Sequence, residues 1–326
     1  MTYRPRRTAR PRAPQWAGSH VLVTGGSSGI GRAFVRLVTA CGARVSVLAL
    51  PDDDLAATRQ ELDRAGVDVC AVGVDVRDLQ AVQAAVDRAR RTVGPVDVVL
   101  TCAGIAHPGR FERLPDEVFR QTMEVDYFGT LHTLRATVQD MLRHRTGSMV
   151  AISSAAGLLG IFGYTPYAPA KFAVRGLMEA LRCELHPYGI HVGVVCPPDT
   201  DTPQLAYENR FKPAETRAIS GSIRPLPAVQ VAAAIMRGME RGDFLIVPDL
   251  QTRLVARTVG LLPGTYQRMM DRRVRTAQAA QTTRGTSATS SQAPSRGRSS
   301  TAAPRATATG SPVPTSASAR PATATR

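Results

Sequence analysis

The chain is 326 residues long, 43% hydrophobic and 5% aromatic, so it can bury a core, and that core must be built mainly of Val, Leu, Ile and Ala. Its formal charge of +15 sits at the ends: five arginines stand in residues 1–15, and nine arginines with one aspartate in residues 271–326, which leaves the middle close to neutral. Five scattered cysteines without a CxxC pair argue against a disulfide scaffold or zinc site, and neither a secretory h-region nor a run of about 18 uncharged apolar residues occurs, so a cytoplasmic protein without a spanning helix is expected.

Taken in order, residues 1–17 read as a disordered basic arm rich in Arg and Pro. Between residues 18 and 249, short apolar runs alternate with helix-like stretches. The expected strands are 20–24, 44–48, 68–74, 96–101, 148–153, 190–196 and 244–247. The expected helices are 29–41, 52–65, 78–93, 115–144, 167–187 and 227–241. Strands rich in Val and Ile, each followed by a helix, predict a single α/β domain. It is a Rossmann-type, doubly wound domain with a seven-stranded parallel sheet. Residues 250–275 mix apolar and Arg positions and read as an amphipathic helical segment, suited either to packing on the protein or to peripheral membrane contact. Residues 276–326 are Ala, Thr, Ser, Pro and Arg, a low-complexity tail expected to be disordered. Basic ends can meet nucleic acid, but a solvated tail is the simpler reading, and a nucleic-acid partner is not expected.

The first strand runs into Thr24-Gly25-Gly26-Ser27-Ser28-Gly29-Ile30-Gly31, where a helix begins. Glycines there allow a sharp turn and close approach to a pyrophosphate. The helix N-terminus offers free N–H groups and Ser27 and Ser28 offer hydroxyls. Further on, Tyr167 and Lys171 form YxxxK, which on a helix puts a phenol and an ammonium on one face. An ammonium nearby favours the phenolate. Only two lysines occur in the chain, Lys171 and Lys212. Ser154 lies at the end of the fifth strand, where strand ends line the ligand crevice of such sheets, with Ser153 beside it as the alternative.

The TGxxxGxG spacing together with Ser154, Tyr167 and Lys171 resembles the short-chain dehydrogenase/reductase family over about residues 18–248. The resemblance implies an NAD(P)-dependent oxidoreductase acting on CH–OH groups. Ser154, Tyr167, Lys171 and Asp126 would be its catalytic group, Asp126 standing where the family usually has Asn. It implies a cofactor path over Gly25, Ser27, Ser28, Gly29, Ile30, Gly31, Asp75, Ala103, Gly104, Tyr167 and Lys171. Thr101-Cys102-Ala103-Gly104 keeps only the second half of the family's Asn-Asn-Ala-Gly turn. A homo-oligomer built on helices 115–144 and 167–187 is likewise implied.

A narrower resemblance rests on GIFGYTPYAPAKFAVRGLMEAL, CPPDTDTP and ENRFKPAETRAIS, which are similar to the 3-ketodihydrosphingosine reductases. It implies reduction of 3-dehydrosphinganine to sphinganine in sphingolipid biosynthesis, a lipid-like ketone substrate and NADPH as cofactor. It also implies that Pro197, Pro198, Asp199, Thr200, Asp201 and Thr202 border the nicotinamide. The subgroup's Arg after the second strand is Leu50 here, residue 49 is Ala, and Asp52, Asp53 and Asp54 follow, so NADH stays open. One fold serves many substrates. A dehydrogenase for a steroid or 3-oxoacyl compound, and a non-catalytic dinucleotide binder, therefore stay open as well.

Overall fold

The computed structural model describes residues 13–67, 69–220 and 224–290. A compact unit runs through Thr282, and a second begins at Thr283, of which the described part is the end of one helix. The expected basic arm (but for its last residues) and most of the expected low-complexity tail lie outside the described residues.

Seven strands form one sheet: β1 (His20–Thr24), β2 (Arg44–Ala49), β3 (Val69–Gly73), β4 (Val98–Thr101), β5 (Ser148–Ile152), β6 (His191–Val195) and β9 (Leu245–Ile246), with the short pair β7 (Thr200–Asp201) and β8 (Leu226–Pro227) outside it. The order is β3-β2-β1-β4-β5-β6-β9, and every pairing is parallel. The α/β class and the seven-stranded parallel sheet expected from the sequence are therefore present. The chain first builds outward from β1 to β3, then returns to place β4 on the other side of β1. The reversal opens a crevice above the C-terminal ends of β1 and β4.

The strands are mainly apolar because both faces are covered. Side chains alternate across a strand. Val21, Val23, Val45, Val47 and Leu100 pack on one face against Phe34, Val35 and Val38 of α1 (Gly29–Ala40) and Val231, Ile235 and Met239 of α9 (Ala228–Arg241). Leu55 and Leu62 of α2 (Asp53–Arg64) join the same layer. The intervening Leu22, Leu48, Val99, Met149 and Val194 pack on the other face. Their partners are α3 (Leu79–Val93), α5 (Gly129–His144) and α6 (Tyr167–Leu185), through residues such as Val86, Met141 and Met178.

The single helix expected over 115–144 is broken. It comprises α4 (Asp116–Met123), one π turn over Glu124–Phe128, and α5. A π turn inserts an extra residue into the helical ladder and re-aims side chains; here it carries Asp126, which is fully buried. The segment after β6 holds two helices not expected from the sequence, α7 (Pro203–Phe211) and α8 (Ala214–Ser220). Residues 250–275 hold α10 (Leu250–Thr258), a turn over 259–262 and the start of α11 (Pro263–Ser290), which continues past residue 275. Leu250, Leu254, Leu261 and Leu262 are exposed there. Among the described residues no helix is long and apolar enough to cross a membrane.

Candidate active site

The crevice is a cleft of about 620 Å³. One wall is the glycine turn between β1 and α1. Gly25 has φ +64°, and a Cβ on it would lie 2.8 Å from the Ala103 backbone nitrogen. A Cβ on Gly31 would overlap the Gly25 carbonyl oxygen. Thr24 ties this turn to the loop after β4: its hydroxyl oxygen accepts from the backbone N–H groups of Cys102 at 3.1 Å and Ala103 at 3.3 Å. Ser28 caps α1 without a side-chain cap bond. Gly25, Ser27, Ser28, Gly29, Ile30, Ala103 and Gly104 all line the cleft, whereas Gly31 lies behind the turn and acts through packing.

Opposite stands the group from β5, α6 and the π turn. Ser154 caps the short turn after β5, accepting from Ala156 N–H at 3.1 Å. Its neighbour Ser153 is buried and donates to the Lys171 carbonyl at 2.8 Å, so Ser153 braces α6. Lys171 is buried as well, its Nζ 3.2 Å from Asp126 Oδ2 and 3.2 Å from the Ile152 carbonyl it donates to. Asp126 Oδ1 accepts from Ile105 N–H at 2.8 Å. Burial pushes the Asp126 carboxyl up, against the pull of Lys171. Asp126 lies behind Lys171, outside the cleft lining.

Tyr167 faces the cleft, with Lys171 Nζ 5.3 Å from its ring centroid. Its phenol is held well above the ordinary value, by desolvation first and then by the charges of Asp126 and Glu208, while a hydrogen bond with Ser154 pulls the other way. The YxxxK spacing alone suggests the opposite direction. The difference arises because burial penalises the phenolate most, and the negative charges of Asp126 and Glu208 add to that penalty.

Of the other expected positions, Pro197, Pro198, Asp199, Thr200 and Thr202 line the cleft, and Asp201 is exposed and does not. Asp75 lines it too, with its carboxylate engaged by Arg77 at 2.6 Å and held below the usual carboxylate range by that pairing. Asp52 lines the cleft and caps α2 through Oδ1, which accepts from Leu55 N–H at 3.0 Å; Asp53 and Asp54 are exposed and do not line the cleft. Cys102 faces the cleft as a neutral thiol, pushed up to about 11 by burial. All five cysteines are free.

Sequence reasoning missed a second polar group in the same cleft. Tyr164 donates to Glu208 Oε2 at 2.5 Å, and Gln204 donates to Glu208 Oε1 at 3.0 Å. Lys212 Nζ pairs with Asp199 at 3.0 Å. The one local signal is the i, i+4 spacing of Gln204 and Glu208 on α7; the contact with Tyr164 spans 44 positions of chain.

A model of the short chain dehydrogenase family matches residues 19–212. The chain is 38% identical over 262 residues to a protein of Danio rerio named 3-dehydrosphinganine reductase, covering 78% of this chain and 79% of that one. It is 40% identical over 232 residues to a protein of Bos taurus named 3-ketodihydrosphingosine reductase, with 70% of each covered. A crystal structure of a short chain dehydrogenase/reductase from Burkholderia phymatum matches with a TM-score of 0.71 at 24% identity, over 78% of this chain and 96% of that one. The glycine turn, the sheet order and the matched residues lead to one statement: the chain belongs to the short chain dehydrogenase family.

Proposed function

We propose that the protein is a nicotinamide-dependent ketoreductase that converts 3-dehydrosphinganine to sphinganine. The observation that carries the reaction class is the meeting, across one cleft, of the glycine turn with Ser154, Tyr167 and the buried Lys171–Asp126 pair. The names of the Danio rerio and Bos taurus relatives support the substrate.

The residues present fit a dinucleotide. Gly25 and Gly31 leave no room for a side chain, and the loops after β1 and β4 are clamped together by Thr24, so the backbone can approach a pyrophosphate at the α1 N-terminus. A dinucleotide held by this turn would supply hydride to the ketone carbon. Tyr167, which keeps its proton in this environment, donates it to the carbonyl oxygen. Ser154 donates a hydrogen bond to that oxygen as charge builds on it. Lys171 holds positive charge beneath the phenol and is itself fixed by Asp126 and the Ile152 carbonyl.

NADPH is the proposed form. Ala49 and Leu50 offer no acid to a ribose diol after β2, and the names of the relatives support a reductase of the 3-ketodihydrosphingosine type; Asp52, which caps α2 through Oδ1, is the one acid in residues 49–54 that lines the cleft. A second hollow of about 530 Å³ shares Gly104, Ile105, Gln121 and Gln204 with the cleft and is lined by Ala106, His107, Val118 and Tyr207, which gives room for an alkyl chain.

The test is oxidation of NADPH and of NADH by the purified protein with 3-dehydrosphinganine in detergent, beside steroid and 3-oxoacyl ketones. Preferred turnover of 3-dehydrosphinganine with NADPH is expected. Turnover of another ketone alone would reject the substrate and keep the chemistry. For the cradle, Gly31→Ala is expected to weaken NADPH binding at least about tenfold in a fluorescence titration, because the new methyl must displace the Gly25 carbonyl.

A further inference from the structure

We propose that Glu208 is the receptor for a protonated amine carried by the substrate next to the carbonyl that is reduced; this deepens the reductase reading above and rests on it.

The carboxylate is built into the catalytic cleft. Glu208 is 7% exposed, on a helix whose N-terminal residues Thr202, Pro203, Gln204 and Leu205 also line the cleft. Tyr164 and Gln204 fix one oxygen each, at 2.5 Å and 3.0 Å. Tyr164 in turn packs with its ring centroid 5.7 Å from that of Tyr167. The carboxylate is thus held rigidly one side chain away from the proton donor.

Its charge is not matched by the protein. Among the described residues Glu208 makes no ion pair. The nearby ammonium of Lys212 is already engaged by Asp199 at 3.0 Å, and Arg110 is taken up by Glu215. Asp199, Glu208 and Lys212 together leave one negative charge over. An uncompensated carboxylate removed from water is destabilised and rises in pKa, and Glu208 is indeed shifted up, by burial first. A cation arriving from the cleft would relieve that cost. Hydrogen bonding alone explains less, since a glutamine would serve Tyr164 without the penalty.

3-Dehydrosphinganine bears an amine on the carbon beside its ketone. With the carbonyl oxygen toward Tyr167 and Ser154, the ammonium is a near neighbour, within reach of a carboxylate on the Tyr164 side. Charge-assisted pairing of this kind contributes discrimination that an apolar pocket cannot. The hydrocarbon tail and its hollow would supply affinity for any long-chain ketone, and Glu208 would select among them.

The deciding experiment compares kcat/KM for 3-dehydrosphinganine and for the same long-chain hydroxyketone lacking the amine, in wild type and in Glu208→Gln. Wild type is expected to prefer the amino ketone, and Glu208→Gln to shrink that preference by roughly 10- to 100-fold. An unchanged preference, or none in wild type, overturns the proposal. A measurement free of any variant stands beside it: a long-chain primary amine should inhibit wild type about tenfold more tightly than the matching alcohol, and equal inhibition overturns the amine site. Should wild type reduce only other amino ketones, with a preference dependent on Glu208, the sphingoid reading fails and amine recognition stands. Silence on every ketone rejects both.

Discussion

Tyr167→Phe is expected to lower kcat on the reducible ketone by about a thousandfold, with cofactor affinity unchanged. The substitution removes one oxygen from a side chain packed at the cleft wall, so the ring stays and the proton goes. The shift of the Tyr167 phenol gives the result its direction. Burial, Asp126 and Glu208 all favour the protonated form, so at neutral pH the group begins each reductive cycle as a donor. Ser154 cannot take over this role, because an aliphatic hydroxyl is a far weaker acid than a phenol. Stopped-flow single turnover with prebound cofactor measures the step directly, and a wild-type rate in the variant would remove Tyr167 from the chemistry.

Lys171→Met should damage both activity and stability. The ammonium is 3.2 Å from a fully buried carboxylate, and a methionine fills similar volume without charge. Asp126 would then be buried with its cation gone, a situation that costs about 3–5 kcal/mol. For a domain of this size the melting temperature should fall by roughly 6–20 °C. Adding Asp126→Asn to Lys171→Met removes the orphaned charge while keeping an acceptor for Ile105 N–H. The double variant should recover most of the melting temperature and stay inactive. Thermal melts of the two variants beside their turnover separate the structural role of the pair from the catalytic one. Equal melting of Lys171→Met and wild type would mean that the pair contributes nothing to the fold.

How much of this was legible beforehand depends on the range of the interaction involved. The glycine turn could be read because its requirement is local: Gly25 must adopt positive φ and Gly31 must lie against Gly25. The same holds for Tyr167 and Lys171, which one turn of helix places together. The seven strands were legible because a sheet covered on both faces leaves continuous Val and Ile runs. Element ends were placed less well, and the helix expected over 115–144 hid a π turn, which leaves no periodic trace in so short a span.

The sequence by itself determined the α/β class, the glycine turn after the first strand and the helical pairing of Tyr167 with Lys171, since each follows from residue type and near spacing. Only the tertiary structure decided that Ser153 braces α6 while Ser154 faces the cleft, that the Lys171 charge is matched by Asp126, and that Tyr164, Gln204 and Glu208 meet. It also decided the direction in which the Tyr167 phenol shifts. These outcomes depend on desolvation and on contacts between distant parts of the chain, and both exist only once the sheet has brought β5, α6 and α7 around one crevice.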